Sequence, residues 1–161
     1  CVMVTLEGTR PMLVEIQALV DGGGPSPRRL SVGLDRDRLA MLLAVLYRHG
    51  GIFTAQDEIY ANVVGGIKVT ETSSDLAIVV GVVSSLKDKV IPHDVFFFGE
   101  IGLSGEIRPV ANGHARLNDA AKHGFKKAVI PKTNVPKAAI KGLEILGVST
   151  LSEALSMLTD L

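Results

Sequence analysis

The chain has 161 residues, 47% of them hydrophobic, and its 17 basic residues balance its 17 acidic ones. That length and apolar content suit one globular domain with its own core. No stretch approaches the roughly 20 apolar residues of a membrane span. Zero net charge argues against a uniformly basic nucleic-acid binder, and the single cysteine allows neither an internal disulfide nor a cysteine-based zinc site. A reducing, cytoplasmic setting is expected. The first residue is Cys1, with no basic n-region or apolar h-region behind it, which reads as a fragment of a longer chain without a secretory signal.

In chain order, Val2-Met-Val-Thr-Leu-Glu7 predicts a strand, Gly8-Thr-Arg-Pro11 a turn, and Met12 to Val20 the returning arm of a hairpin. Asp21-Gly-Gly-Gly-Pro-Ser-Pro27 is a loop. Arg29 to Gly33 predicts a short strand. Leu39, Leu42, Leu43 and Leu46 then mark a helix begun at Asp35 or Asp37 and stopped by Gly50-Gly51. Glu58 to Val64 predicts a strand ended by Gly65-Gly66.

The next stretch, Val69 to Leu86, starts polar and becomes apolar on every face from Leu76 to Val83, the pattern of a buried helix. Its start carries Thr72-x-x-Asp75, a capping-box-like pattern. Small hydroxyl residues there have two readings: a capped core helix, or a nucleophilic serine at a helix N-terminus, where the dipole favours developing negative charge.

Asp94 to Gly99 has strong β propensity, and Gly105 to Val110 is expected to pair with it or near it. Asn112 is the expected cap of a helix running to His123. Lys127 to Ile130 predicts a strand broken by Pro131, and Leu143 to Val148 another. Ser149 is the expected cap of a last helix with Leu151, Leu155 and Leu158 inward. Hairpins followed by strand–helix alternation predict an α+β domain.

The charge is uneven. Between Arg116 and Lys141 seven basic residues face one acid, Asp119; between Arg28 and Arg48 five arginines face Asp35 and Asp37. Either cluster is a solvated surface or a phosphate contact. The chain has no Gly-x-x-x-x-Gly-Lys-[Ser/Thr] loop, so it carries no recognisable nucleotide site. His49, His93, His114 and His123 lack metal-ligand spacing.

Several stretches carry a resemblance: Glu7-Gly-Thr-Arg-Pro11, Glu15-Ile-Gln-Ala18, Asn62-Val-Val-Gly-Gly66, Thr70-Glu-Thr-Ser-Ser-Asp-Leu76, Phe98-Gly-Glu-Ile-Gly-Leu-Ser-Gly-Glu-Ile-Arg-Pro109 and Ala120-Ala-Lys-His-Gly-Phe125. Over essentially its whole length the chain resembles the C-terminal domain of the bacterial RadA (Sms) family, which is similar to the proteolytic domain of Lon. The resemblance implies a two-layer arrangement like that of ribosomal protein S5, spanning residues 1–161. It also implies a zinc finger and a RecA-like ATPase core upstream, which would bind Zn, ATP and Mg, with no cofactor in this domain. The implied process is recombinational DNA repair, in which a hexameric DNA-dependent ATPase drives branch migration with DNA and a recombinase filament as partners, away from membranes.

Lon-type peptidases use a serine at the start of the buried helix and a lysine after a Gly-Glu…Pro segment. By resemblance these positions fall on Ser73 and Arg116. Glu71-Thr72 and Ser74-Asp75 stand where the peptidases have small residues. A Ser–Lys dyad needs an amine that can be neutral, whereas arginine, with a pKa above about 12, stays charged. The expected catalytic set is therefore empty, with Arg116 paired to Glu100 or Asp75 or aimed at a phosphate. A serine peptidase with an atypical base is the alternative. The expected DNA contacts are Arg28, Arg29, Arg108, Arg116 and Lys122, since guanidinium forks grip phosphate oxygens in pairs.

Overall fold

The computed structural model describes the backbone of residues 2–7 and 10–161, and side chains from Pro11 onward. The expected turn at Gly8 and Thr9 lies outside the described residues. Strand β1 (Val2–Glu7) pairs antiparallel with β2 (Arg10–Gly22), as the hairpin reading requires. Strand β3 (Arg29–Val32), helix α1 (Arg36–Gly50) and β4 (Asp57–Val63) form a parallel crossover unit, and β4 also pairs antiparallel with β2.

Helix α1 has the ends its sequence asks for. The Asp35 carboxylate accepts from the Asp37 N–H, and Gly51 closes the helix in the left-handed region at φ 68°, its N–H donating to the Leu46 and Tyr47 carbonyls.

A single 3₁₀ turn (Thr72–Ser74) leads into α2 (Asp75–Leu86), which is buried at every position from Asp75 to Val83. It lies on the sheet with α1 against its other side. Strand β5 (Val95–Phe97) joins the sheet parallel to β1. The segment from Gly105 to Val110 pairs not with β5 but with its own neighbour: β6 (Glu100–Ile101) and β7 (Ile107–Arg108) form a small hairpin that packs on α2.

Helix α3 (Gly113–Lys122) connects β5 to β8 (Lys127–Pro131), and β9 (Glu144–Val148) completes the sheet in the order β3-β4-β2-β1-β5-β8-β9. Pro131 ends β8 from inside the strand. Two expected caps are corrected. Asn112 sits in the left-handed region at φ 58° and makes no side-chain cap, so it turns the chain rather than capping it. Thr150, not Ser149, caps α4 (Leu151–Met157), accepting from the Glu153 N–H at 3.1 Å.

The mixed α/β class is borne out. The β5 strand shows how two cores form: Phe97 faces the core of α1, α2 and α4, while Phe96 and Phe98 face Leu117 and Ala120 of α3. Successive strand residues point to opposite faces, so three consecutive phenylalanines serve both. Helix α3 thus adds a layer, over part of the sheet, to the expected two-layer arrangement.

Candidate functional site

The 3₁₀ turn before α2 is held against the end of β5 by two backbone bonds. The Gly99 N–H donates to the Ser73 carbonyl at 2.9 Å, and the Leu76 N–H donates to the Gly99 carbonyl at 3.1 Å. This places Ser73 at the wall of an open cleft of about 410 Å³, lined also by Thr70, Glu71, Thr72, Glu100, Pro109, Val110, Ala111 and Arg116. The far wall is fixed by Asn134, whose side chain accepts from the Val110 N–H at 2.8 Å and donates to the Val110 carbonyl at 3.0 Å.

The positions matched to Ser73 and Arg116 do meet. Arg116 Nη1 donates to Ser73 Oγ at 3.3 Å, Nη2 donates to Glu71 Oε2 at 3.4 Å, and Nε donates to the Ala111 carbonyl at 3.0 Å. Its guanidinium carbon lies 5.9 Å from the centroid of the Phe98 ring, within reach of a cation–π attraction. Ser73 in turn donates to Glu71 Oε2 at 2.9 Å. Burial lowers the Arg116 pKa from its ordinary value, and the charge and hydrogen bond of Glu71 oppose that shift. A guanidinium starting above about 12 still keeps its proton, so Arg116 donates to the serine and cannot accept from it.

Two expectations about this turn are corrected. Thr72 and Asp75 form no capping box: the Thr72 hydroxyl donates to Glu100 Oε2 at 2.6 Å, and α2 starts with no side-chain cap. Asp75, 0% exposed, instead turns inward to Arg38 of α1. Arg38 Nε donates to Oδ1 at 3.0 Å, Nη2 donates to Oδ2, and the Ile101 N–H donates to Oδ2 at 3.0 Å. Arg116 therefore pairs with Glu71, and not with Asp75 or Glu100, because Arg38 and Thr72 already hold those carboxylates.

The five expected DNA residues do not share one surface. Arg28, Arg108 and Lys122 are exposed. Arg29 is half-buried and spends its guanidinium on the carbonyls of Thr54 (2.6 Å) and Asp57. Arg116 is 2% exposed, so its expected place on a DNA surface is corrected: α3 turns it under the Ser73 turn. Arg28 adjoins the edge strand β3, whereas Lys122 ends α3, the connection between β5 and β8 near the other edge.

Sequence reading placed Glu71 beside the serine position, and the structure adds its bonds to Ser73 and Arg116. It missed Phe98, Asn134 and Arg38 as parts of this arrangement, and of these only Phe98 carried a signal, as the first residue of a quoted motif. Among the described residues no group of three or more His, Cys, Asp or Glu is placed to hold a metal, and no helix is long and apolar enough to cross a membrane.

A family model described as subunit ChlI of Mg-chelatase matches residues 36–134, more than half of the chain and all of the cleft. The chain belongs to this family. It is also similar to proteins named DNA repair protein RadA, as the motifs imply. It is 58% identical to the one from Escherichia coli K12 over 161 residues, 47% identical to that of Aquifex aeolicus over 153, and 41% identical to that of Bacillus subtilis 168 over 156. These matches cover 99%, 94% and 96% of the chain. They cover only 35%, 34% and 34% of the relatives, so the chain spans about a third of their length.

Proposed function

We propose that this chain is the non-proteolytic, Lon-protease-like C-terminal domain of a RadA-type DNA repair protein, where it serves as a self-association scaffold and a DNA-contact surface. The observation that carries this reading is Arg116 in the lysine position, buried and donating to Ser73 and Glu71. A Ser–Lys mechanism needs a neutral amine to take the serine proton. Here the group beside Ser73 is a permanent donor, and the serine hydroxyl points at a carboxylate oxygen that the same guanidinium engages. The cleft remains as a shape whose chemistry has been exchanged for a hydrogen-bonded strut.

The whole protein, on this reading, is a DNA-dependent ATPase that promotes branch migration in recombination as a six-membered ring, in the cytoplasm, alongside a recombinase filament. ATP, Mg and Zn belong to its upstream domains. The DNA-contact role rests on separate exposed cations, Arg28 at the β3 edge, Arg108 beside Glu100 and Lys122 at the end of α3, each a sequence-independent phosphate contact.

The test has two arms. An unfolded protein such as casein should survive incubation with the chain and with Arg116→Lys. Cleavage lost on Ser73→Ala would establish a peptidase and defeat the reading. In a salt titration of duplex binding, log affinity should fall linearly with log salt. Arg28→Ala or Lys122→Ala, made singly, should flatten the slope by about 0.9 wherever the residue holds a phosphate. An unchanged slope in each would remove both residues from DNA and leave the scaffold role alone.

A further inference from the structure

Strand β2 outruns one of its two partners. Its pairing with β1 ends where Val2 meets Glu15, while its pairing with β4 runs on to Gly22 opposite Asp57. On the β1 side, the edge of β2 beyond Glu15 has no strand among the described residues. A notch of about 510 Å³ opens there, and its lining includes Gln17, Ala18 and Leu19 of β2 with Gly81, Ser84 and Ser85 of α2.

The backbone of β2 is turned toward this notch at alternate residues. The Val64 N–H donates to the Glu15 carbonyl at 2.9 Å, so the odd-numbered residues direct their backbone groups to β4. The even-numbered residues direct theirs the other way. At Val20 the N–H donates to Ser85 Oγ at 2.9 Å, and α2 closes the notch there. Ala18 lies between, half-buried, and its N–H and carbonyl face the notch, where the described residues offer no strand partner. Half-buried backbone groups of this kind are normally paired.

Helix α2 is cut back on the same side. Gly81, Ser84 and Ser85 stand at i, i+3 and i+4, on one face of a helix that is otherwise Leu, Ala, Ile and Val from Leu76 to Val83. Glycine inside a helix costs about 1 kcal/mol against alanine, and it serves where another backbone must come close. The strand already aimed at this space is β1. Continued backward, its register sets the residue before Val2 opposite Ile16, the next opposite Gln17 and the next opposite Ala18.

We propose that, in the longer protein, the two residues preceding Cys1 continue β1 along β2 as far as Ala18, so that the upstream domains join this one through a paired strand and not a flexible linker. The first stands on the open face beside Gln17. The second passes over Gly81 and exchanges both main-chain bonds with Ala18. The strand leaves the sheet beyond it, because Ser85 holds the next inward N–H of β2. Helix α2 then meets the entering strand at one end and carries the Ser73 turn at the other. This inference rests on the proposed reading of the chain as a C-terminal domain, and it adds how that domain is joined.

The test uses the longer protein. Hydrogen exchange resolved by residue should show the Ala18 amide at least about a hundredfold slower than an unstructured amide. Proline at the second residue before Cys1 removes the N–H that bonds the Ala18 carbonyl, and it should speed that exchange about tenfold or more. The proline lies outside the domain, so its core stays intact. With Cys1→Ser in place, a cysteine at the residue just before position 1 should form a disulfide with Gln17→Cys, its neighbour in a non-hydrogen-bonded pair. The same cysteine should not bridge to Ala18→Cys, which points to the other face. Non-reducing peptide mass spectrometry reads both.

An Ala18 amide that exchanges freely, exchange unmoved by the proline, or a disulfide that favours Ala18→Cys over Gln17→Cys would each overturn the proposed strand alone. A gene that opens at Cys1 would overturn the C-terminal reading itself, and this inference with it.

Discussion

Replacing Arg38 by Met tests what holds the start of α2 in place. Asp75 is fully buried, and of the donors described around its carboxylate, two N–H groups come from Arg38 and one from the Ile101 amide. Arg38→Met keeps the aliphatic stem packed and leaves one donor facing a buried carboxylate. Breaking a buried pair from one side costs about 3–5 kcal/mol. Arg38 is itself one-quarter exposed, so the lower figure of about 3 kcal/mol is expected near pH 7.5. For a domain of this length that lowers Tm by roughly 6–12 °C.

The pH dependence has a defined sign. Burial already raises the Asp75 pKa, against the pull of Arg38 and the Ile101 N–H, and removing Arg38 raises it further. The folded variant then binds a proton more tightly than the unfolded chain, whose value is about 3.9. Stability therefore falls as pH rises from about 4 through the folded-state value. Urea unfolding followed by circular dichroism should show the deficit of Arg38→Met shrinking to about half or less at pH 4.5. Adding Asp75→Asn should remove most of this pH dependence. A deficit below about 1 kcal/mol at pH 7.5, or one equal at both pH values, would refute the assignment of Asp75 as a buried carboxylate that depends on Arg38.

The other core has its own test: Leu117→Ala, at a 0% exposed position of α3, should cost about 2–5 kcal/mol in the same urea titration. Gly33→Ala should cost at least about 2 kcal/mol by thermal unfolding. Gly33 has φ +81°, and a Cβ there would lie 2.6 Å from the Ile67 carbonyl oxygen and 2.8 Å from Val63 Cβ.

The sequence was most legible where one local rule decided the outcome. Helix α1 needed only its leucine stripe, an aspartate before it and a glycine after it, and both caps formed as read. The all-apolar run from Leu76 to Val83 announced burial, and every one of those residues is buried. Legibility failed where two segments far apart compete for one side chain. Thr72 and Asp75 have capping-box spacing, but Glu100 lies 28 residues from Thr72 and Arg38 lies 37 from Asp75, and these partners win. Composition could not separate Arg116 from Arg108 as surface charges either. They lie eight residues apart, yet one is buried under the Ser73 turn and the other exposed. The difference arises because α3 faces the Phe96–Phe98 core, and only the strand order of the sheet sets that face.

The arginine at position 116 also bears on how the cleft is held together. Ser73 belongs to the turn that starts α2, and Arg116 belongs to α3, which packs on the opposite face of the sheet. The bonds from Arg116 to Ser73, Glu71 and the Ala111 carbonyl, together with its position over Phe98, tie these layers around the open end of β5. A lysine there could not reproduce this set, because a single ammonium lacks the planar fork that reaches three acceptors from one head group. Hydrogen bonds to charged groups each contribute about 1.5–3 kcal/mol, and leaving a buried partner unpaired costs a similar amount. Arginine thus braces the open end of β5 through three acceptors, and on the proposed reading it does so in place of a general base.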